Sequence, residues 1–381
     1  LSILPITLAW KFVDPAFAPI RFAIPWILWS TLLLSFGFAL DKNKVRYSHG
    51  PYLAGYALMS WAVSWSLLQR PTLVWALGAW ILAAVASALL VHFNRHQTWD
   101  DFVQSLFGNS INVAQNTTRN LFQWLAAWTF PIWCVLLLFE LHANDFSWLG
   151  LVVPPLAYLG FVLWFRRINS TYATPLFSAA QFYTVIGLFV STPTTLEFFG
   201  GRYSLNKSIL LPIILLQAIT VLFYSTSAWT SQARRYTHIA AWLSILPVTI
   251  AWRTYGFAFT YLQFVIPWLL WATVMIAIGF ALDKSKVRYS HGPYLAGYLL
   301  SGFALAVSVT DRITNIYALA ITIVLALVSY IAVHYGRHHS YEDFIFKYWY
   351  KTDETTKQIA STFFLFFAAY AIPVLLTQIL A

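Results

Sequence analysis

Twenty residues of this chain, GFALDKNKVRYSHGPYLAGY from Gly37 to Tyr56, return as GFALDKSKVRYSHGPYLAGY from Gly279 to Tyr298, with Asn43 exchanged for Ser285. The same offset of 242 positions relates Leu1 to Leu243, Pro5 to Pro247, Arg70 to Arg312, the pair Val91 and His92 to Val333 and His334, and Pro131 to Pro373. The register runs without a gap, as in a long repeat. Whatever the chain folds into is therefore built twice, around a charged loop set between two apolar runs.

Those apolar runs decide the class. The chain is 60% apolar and 9% charged, against about 45–50% and about 25% for soluble domains. Runs of about 18 residues with almost no charge occur repeatedly, long enough for a helix to cross roughly 30 Å of hydrocarbon. A β-barrel needs alternating apolar and polar positions, and ILLPIILLQAITVLF at 209–223 does not alternate. The expected fold is all-α: a polytopic integral membrane protein of about 13 crossings, made of tandem, parallel four-helix modules.

The spacing of the runs predicts helices near Phe22–Leu40, Pro51–Leu68, Leu73–Phe93, Asn120–Leu141, Trp148–Phe165, Pro175–Thr192, Ser208–Trp229, Tyr236–Tyr255, Leu262–Leu282, Pro293–Val309, Ile313–Tyr335 and Ser361–Ala381. Leu1 to Trp10 matches the second half of the Tyr236–Tyr255 run, so the sequence is expected to open in mid-helix and to be a portion of a longer repetitive protein. A fainter half-length echo, RRINSTYATPLFSAAQFY at 166–183, carries Tyr172 for Tyr47 and Pro175 for Pro51. It predicts module A over 1–119, module B over 120–234, a second A over 235–360 and the first helix of a second B over 361–381. Four is even, so successive modules point the same way, unlike inverted repeats. WDDFVQSLF at 99–107 is too short and polar to span and is expected to lie along the interface.

Charge gives the orientation. The connections on the side of the two duplicated loops carry 16 of the lysines and arginines, and the opposite side carries 7. Positive charge favours the cytoplasmic face, so both loops are expected there, in the plasma membrane. Tryptophan and tyrosine near helix ends, such as Trp10, Trp99, Trp164 and Tyr341, fit interfacial anchoring. The net charge of +10 is spread over short loops with no continuous basic face, which argues against a nucleic-acid partner. The lone Cys134 has no partner for a disulfide and reads as a small core residue.

Three sets of side chains are candidates for chemistry. The duplicated loop presents Asp41, Lys42, Lys44, Arg46, Tyr47 and His49, and again Asp283, Lys284, Lys286, Arg288, Tyr289 and His291. Its cations suit anionic headgroups or a phosphorylated ligand, with histidine as proton carrier or metal-centre ligand. The structural reading, which we favour, pairs Asp41 with a nearby cation, lets His49 and Gly50 shape the turn, and starts a helix at Pro51. The second set is VHFNRHQTWDDF at 91–102 against VHYGRHHSYEDF at 333–344. His92, His96, Asp100 and Asp101, or His334, His338, Glu342 and Asp343, have the donor types of a metal site. We prefer a capping box from Thr98 to Asp101 and from Ser340 to Asp343. The third candidate is a haem or chlorophyll-type pigment held by His49, His291, His92 or His334 among the aromatic side chains, 19% of the chain.

Ionisable residues in mid-span, the mark of proton and ion relays, are missing from the predicted spans: Glu140, Arg70 and Arg253 sit near ends. Neither a Gly-rich phosphate loop nor a nucleophile elbow nor a zinc-protease helix is present. The sequence requires no cofactor. The expected function is non-catalytic: a scaffold or accessory subunit of a larger membrane complex, with the lipid bilayer, other membrane subunits or further repeats of the same chain as partners. A transporter, flippase or channel for an apolar or lipid-like substrate is one alternative. A pigment-, quinone- or haem-associated membrane subunit is another, and an enzyme acting on lipid-linked substrates through Asp100 and Asp101 is a fourth reading.

Overall fold

The structure, a computed structural model, describes residues 3–13, 23–42, 47–96, 111–142, 149–168, 173–199, 207–231, 233–255, 264–284, 289–336, 338 and 353–380. All regular structure among them is helical. The helices are α1 (Ile3–Val13), α2 (Ala23–Lys42), α3 (His49–Ser66), α4 (Arg70–His92), α5 (Ile111–Glu140), α6 (Leu149–Ile168), α7 (Ala173–Phe199), α8 (Lys207–Ser231), α9 (Arg234–Leu243), α10 (Ile245–Tyr255), α11 (Val265–Lys284), α12 (His291–Ser308), α13 (Arg312–His334) and α14 (Asp353–Leu380). Eight of them, α2, α4, α5, α7, α8, α11, α13 and α14, are long and apolar enough to cross a membrane. The duplicated-loop helices α3 and α12 begin at His49 and His291, two residues before the expected proline starts, a difference at the usual scatter of helix ends.

The chain forms two compact units, Leu1–Gly187 and Leu188–Ala381. In the first, α2 packs along α3 and α4 along α5, with α6 against the other side of α5. In the second, α11 packs along α12 and α13 along α14, while α8 lies on α9 and α10. The helices are apolar nearly all round, so their two faces differ in residue size and polarity more than in hydrophobicity. On α2 the buried positions are Trp26, Ser30, Leu34, Gly37 and Asp41, whereas Leu28, Leu32 and Phe36 are exposed. This inverts the pattern of a water-soluble helix and suits a lipid surround.

Close approach depends on glycine at matched positions. A Cβ on Gly37 would lie 2.9 Å from the Tyr52 ring, and one on Gly279 would lie 2.6 Å from Tyr294. Side-chain hydroxyls mostly return to their own helix, as Ser35 does to the Thr31 carbonyl (2.7 Å) and Thr129 to Leu125 (2.7 Å). In an apolar surround that spares a buried donor. Tryptophan ties neighbouring helices at matched positions: Trp26 Nε1 donates to Thr7 Oγ1 (3.1 Å), and Trp268 Nε1 to Thr249 Oγ1 (3.0 Å).

Prolines inside helices leave carbonyls to be satisfied from outside. Pro131 in α5 has no N–H for the carbonyl of Ala127, four residues back. That carbonyl accepts a hydrogen bond from the Tyr158 hydroxyl of α6 at 2.7 Å. The next carbonyl, of Trp128, accepts one from the Tyr183 hydroxyl of α7. Two tyrosines from neighbouring helices thus close the break that the proline opens.

Candidate functional site: two matched histidine–tyrosine–aspartate clusters

The duplicated loop has a buried counterpart beneath it. The last turn of α2 supplies Phe38 and Asp41, the start of α3 supplies Tyr52 and Tyr56, α4 supplies Ser87 and α5 supplies Phe122. Tyr52 and Tyr56 are four residues apart and so share one helix face. The key placement is His96, beyond the end of α4. Asn94 takes a left-handed conformation (φ 54°), and the Arg95 amide bonds back to the Leu90 carbonyl at 2.8 Å. That turn ends the helix, and the chain beyond it carries His96 to a fully buried position (0% exposed).

There the His96 imidazole stacks on Tyr52 with ring centres 4.1 Å apart and planes 17° from parallel. Phe38 and Phe122 meet it at their edges, each 6.0 Å away. The Tyr52 hydroxyl donates to Asp41 Oδ2 at 3.2 Å, and the Tyr56 hydroxyl pairs with Ser87 Oγ at 2.5 Å. Burial holds the His96 pKa down at about 4; the Asp41 carboxylate opposes this and His49 adds to it. At neutral pH the imidazole is uncharged.

The second unit repeats this arrangement at every matched residue. His338 stacks on Tyr294 at 3.9 Å and 15°, with Phe280 and Phe364 at 5.7 and 6.2 Å. The Tyr294 hydroxyl donates to Asp283 Oδ2 (3.4 Å), and Ser290 donates to Asp283 Oδ1 (3.3 Å). Tyr298 bonds both Ser329 (2.7 Å) and His338 Nε2 (3.1 Å). Gly336 (φ 63°) stands where Asn94 stood, making the same left-handed turn with glycine's lower cost. Chemically each cluster is a hydrogen-bonding set built on one aspartate and roofed by aromatic rings. It joins the end of one helix, the start of the next and the segment after a third.

The candidates from sequence divide. Lys44, Arg46, Lys286 and Arg288 lie outside the described residues, as do Thr98, Asp100, Asp101, Ser340, Glu342 and Asp343 with both expected caps and the interfacial segment. Asp41 and Asp283 are buried in the clusters, Lys42 and Tyr47 are exposed, and Lys284 closes α11. His92 and His334 are exposed at the ends of α4 and α13. His49 is half-buried, and His291 places Nδ1 3.2 Å from Nε2 of His238 in α9. No group of three or more His, Cys, Asp or Glu that could hold a metal ion occurs among the described residues.

The sequence reading missed Tyr52, Tyr56, Ser87 and Phe122 and their partners Tyr294, Tyr298, Ser329 and Phe364. It weighed His96 and His338 only as metal ligands. The signal was present, since each is kept at the same offset, but nothing in a linear sequence says that they meet. No family model, curated protein or solved structure matches this chain.

Proposed function

We propose that this chain is a non-catalytic membrane scaffold or an accessory subunit of a larger membrane complex, built from four-helix modules repeated in one orientation. The observation that supports this reading is the inward closure of the two clusters. Asp41, Tyr52 and His96, and Asp283, Tyr294 and His338, bond and stack on one another. Groups kept twice by one chain are thus engaged in bracing helix ends, which serves rigid repetition. In this reading the charged loops above the clusters face the cytoplasm across the plasma membrane, and the aliphatic flanks contact lipid or neighbouring subunits.

The test is purification in mild detergent. Comigration with other membrane polypeptides at fixed stoichiometry is the expected result. A chain that carries no such partner and transports lipid, binds an extractable pigment or turns over a substrate would overturn the reading. Orientation is tested separately. In a Cys134→Ser background, Lys42→Cys and Lys284→Cys should react with an impermeant maleimide from the same side of sealed membranes, and labelling from opposite sides would remove the parallel repeat.

A further inference from the structure

The helices α5 and α14 occupy matched positions 242 residues apart and carry matched prolines, Pro131 and Pro373. Their inner faces do the same work. Phe122 packs against the Tyr56 ring and Phe364 against Tyr298, at 5.2 Å in both. Their lipid-side faces also agree: Leu121 is 49% exposed and Phe363 58%, and Ile132 and Val374 are both 47% exposed.

A third face differs. On α5 it is covered by α6 and α7. Ala127 is 3% exposed, the Trp128 ring lies 4.5 Å from Phe182, and Gly150 of α6 comes so near Val135 that a Cβ there would sit 2.6 Å from its amide nitrogen. On α14 the same positions are Ala369, Tyr370, Ile372, Leu376 and Thr377, and all are exposed, Tyr370 by 66%. Pro373 deprives the Ala369 carbonyl of its helical donor, as Pro131 does for Ala127. At Ala127 the missing donor is the Tyr158 hydroxyl. In hydrocarbon a carbonyl without a donor costs several kcal/mol, a cost that lipid tails cannot relieve. Sheltered positions elsewhere follow the same rule: Leu8 in α1 is exposed, while its match Ile250 in α10 is buried against Leu210 and Ile213 of α8.

We infer that the Ala369–Ile372–Leu376 face of α14 is a docking surface for a transmembrane helical hairpin of the α6–α7 type. Such a hairpin brings a small residue against Thr377 and tyrosine hydroxyls that donate to the carbonyls of Ala369 and Tyr370. This names the partner for the scaffold reading and rests on that reading for its purpose, while the geometry stands on the match between α5 and α14. The face is narrow and polar at two defined carbonyls, which distinguishes it from the lipid-facing side of the same helix.

The test is site-specific photo-crosslinking of the full chain in the membranes of its own cell. The probe benzoylphenylalanine replaces Ile372 or Leu376 on the docking face and Phe363 or Val374 on the lipid face. The expected result is a discrete adduct from 372 and 376 that maps to two consecutive apolar helices with a tyrosine on each, and lipid adducts alone from 363 and 374. Ala369→Trp, one face-repeat before Leu376, should abolish the adducts from 376 and leave the chain's unfolding midpoint unchanged, since Ala369 is exposed. Lipid adducts alone at 372 and 376 would overturn the inference, as would capture of α1 from a second copy or of a soluble protein. Stoichiometric partners that copurify without these adducts would sink the docking face and leave the scaffold reading standing. The adducts together with an intrinsic turnover would do the reverse.

Discussion

The two ends of the duplicated helix pairs have diverged to different degrees. At the loop end, the clusters around His96 and His338 agree residue for residue and nearly distance for distance. At the other end, where α3 turns into α4 and α12 into α13, the same positions hold different chemistry. Gln69 precedes α4 with no side-chain cap, whereas Asp311 caps α13 by accepting from the Thr314 amide at 2.9 Å and from its hydroxyl. Leu73 is replaced by Asn315, which accepts from Ser308 at 3.1 Å. Arg70 stands over the Phe139 ring at 5.9 Å, whereas Arg312 donates to the Gln378 carbonyl at 2.7 and 2.9 Å. The difference teaches where replacement is costly. In the clusters Asp41 pairs with Tyr52 and Tyr56 with Ser87, and Asp283 with Tyr294 and Tyr298 with Ser329, so one change strands its partner. At the turn, Gln69 is exposed and water can serve in place of a side-chain cap, while the buried Asn315 is satisfied by Ser308, so different local solutions are tolerated.

The methionines follow the same logic inside the helix pairs. Met59 accepts from Ser30 at 3.4 Å in the first pair, while in the second its position is Ser301 and a methionine appears instead at Met275, 3.9 Å from Ser244. A flexible thioether fills whichever gap the other swaps leave.

The largest effect should come from Tyr294→Ala, which removes the ring under His338 and the donor to Asp283. A loss of about 3–5 kcal/mol is expected for so large a buried ring, and Tyr52→Ala should match it within about 1 kcal/mol. Reversible unfolding in mixed micelles measures both, and a markedly unequal pair would break the equivalence of the two clusters. Next is the acid sensitivity of the first cluster. His96 has a folded pKa of about 4, below the ordinary histidine value of about 6.5, so the unfolded chain binds the proton more readily. Stability should be full above about pH 6.5 and fall toward pH 4, by about 3 kcal/mol for a shift of this size. His96→Gln should flatten unfolding midpoints across that window, and a wild-type profile already flat there would deny the buried neutral imidazole.

A smaller effect is expected at His238, where replacement by Leu removes the 3.2 Å contact with His291. One half-buried hydrogen bond contributes about 1 kcal/mol, and His49, set in a matched position of the first unit, provides the comparison. The smallest concerns Asp311→Ala, which removes an exposed cap; a slight fall in the unfolding midpoint is expected, against none for Gln69→Ala. The carboxylate pKa of Asp311 is held down by its bonds to Thr314. The contribution is therefore present above the carboxylate range and disappears as pH drops below it. Equal responses at the two turns would show that the divergence there has no energetic consequence.

Helical class, apolar spans and the doubled loop were legible in the sequence because each rests on local composition or on identity at a fixed offset. Hydrocarbon demands that a chain satisfy its backbone internally, and long uncharged runs leave the helix as the solution. The charged loop drew attention because charge stands out in such a chain. What only tertiary structure decided is which residues meet. His96 and Tyr52 are 44 positions apart in the chain and stack because a left-handed turn at Asn94 redirects the chain, while Gly37 lets two helices approach. The open face of α14 was equally hidden, since Ala369 and Ala127 are the same residue in like surroundings along the chain. They differ only in what packs across them, and packing between distant segments leaves no mark on local sequence.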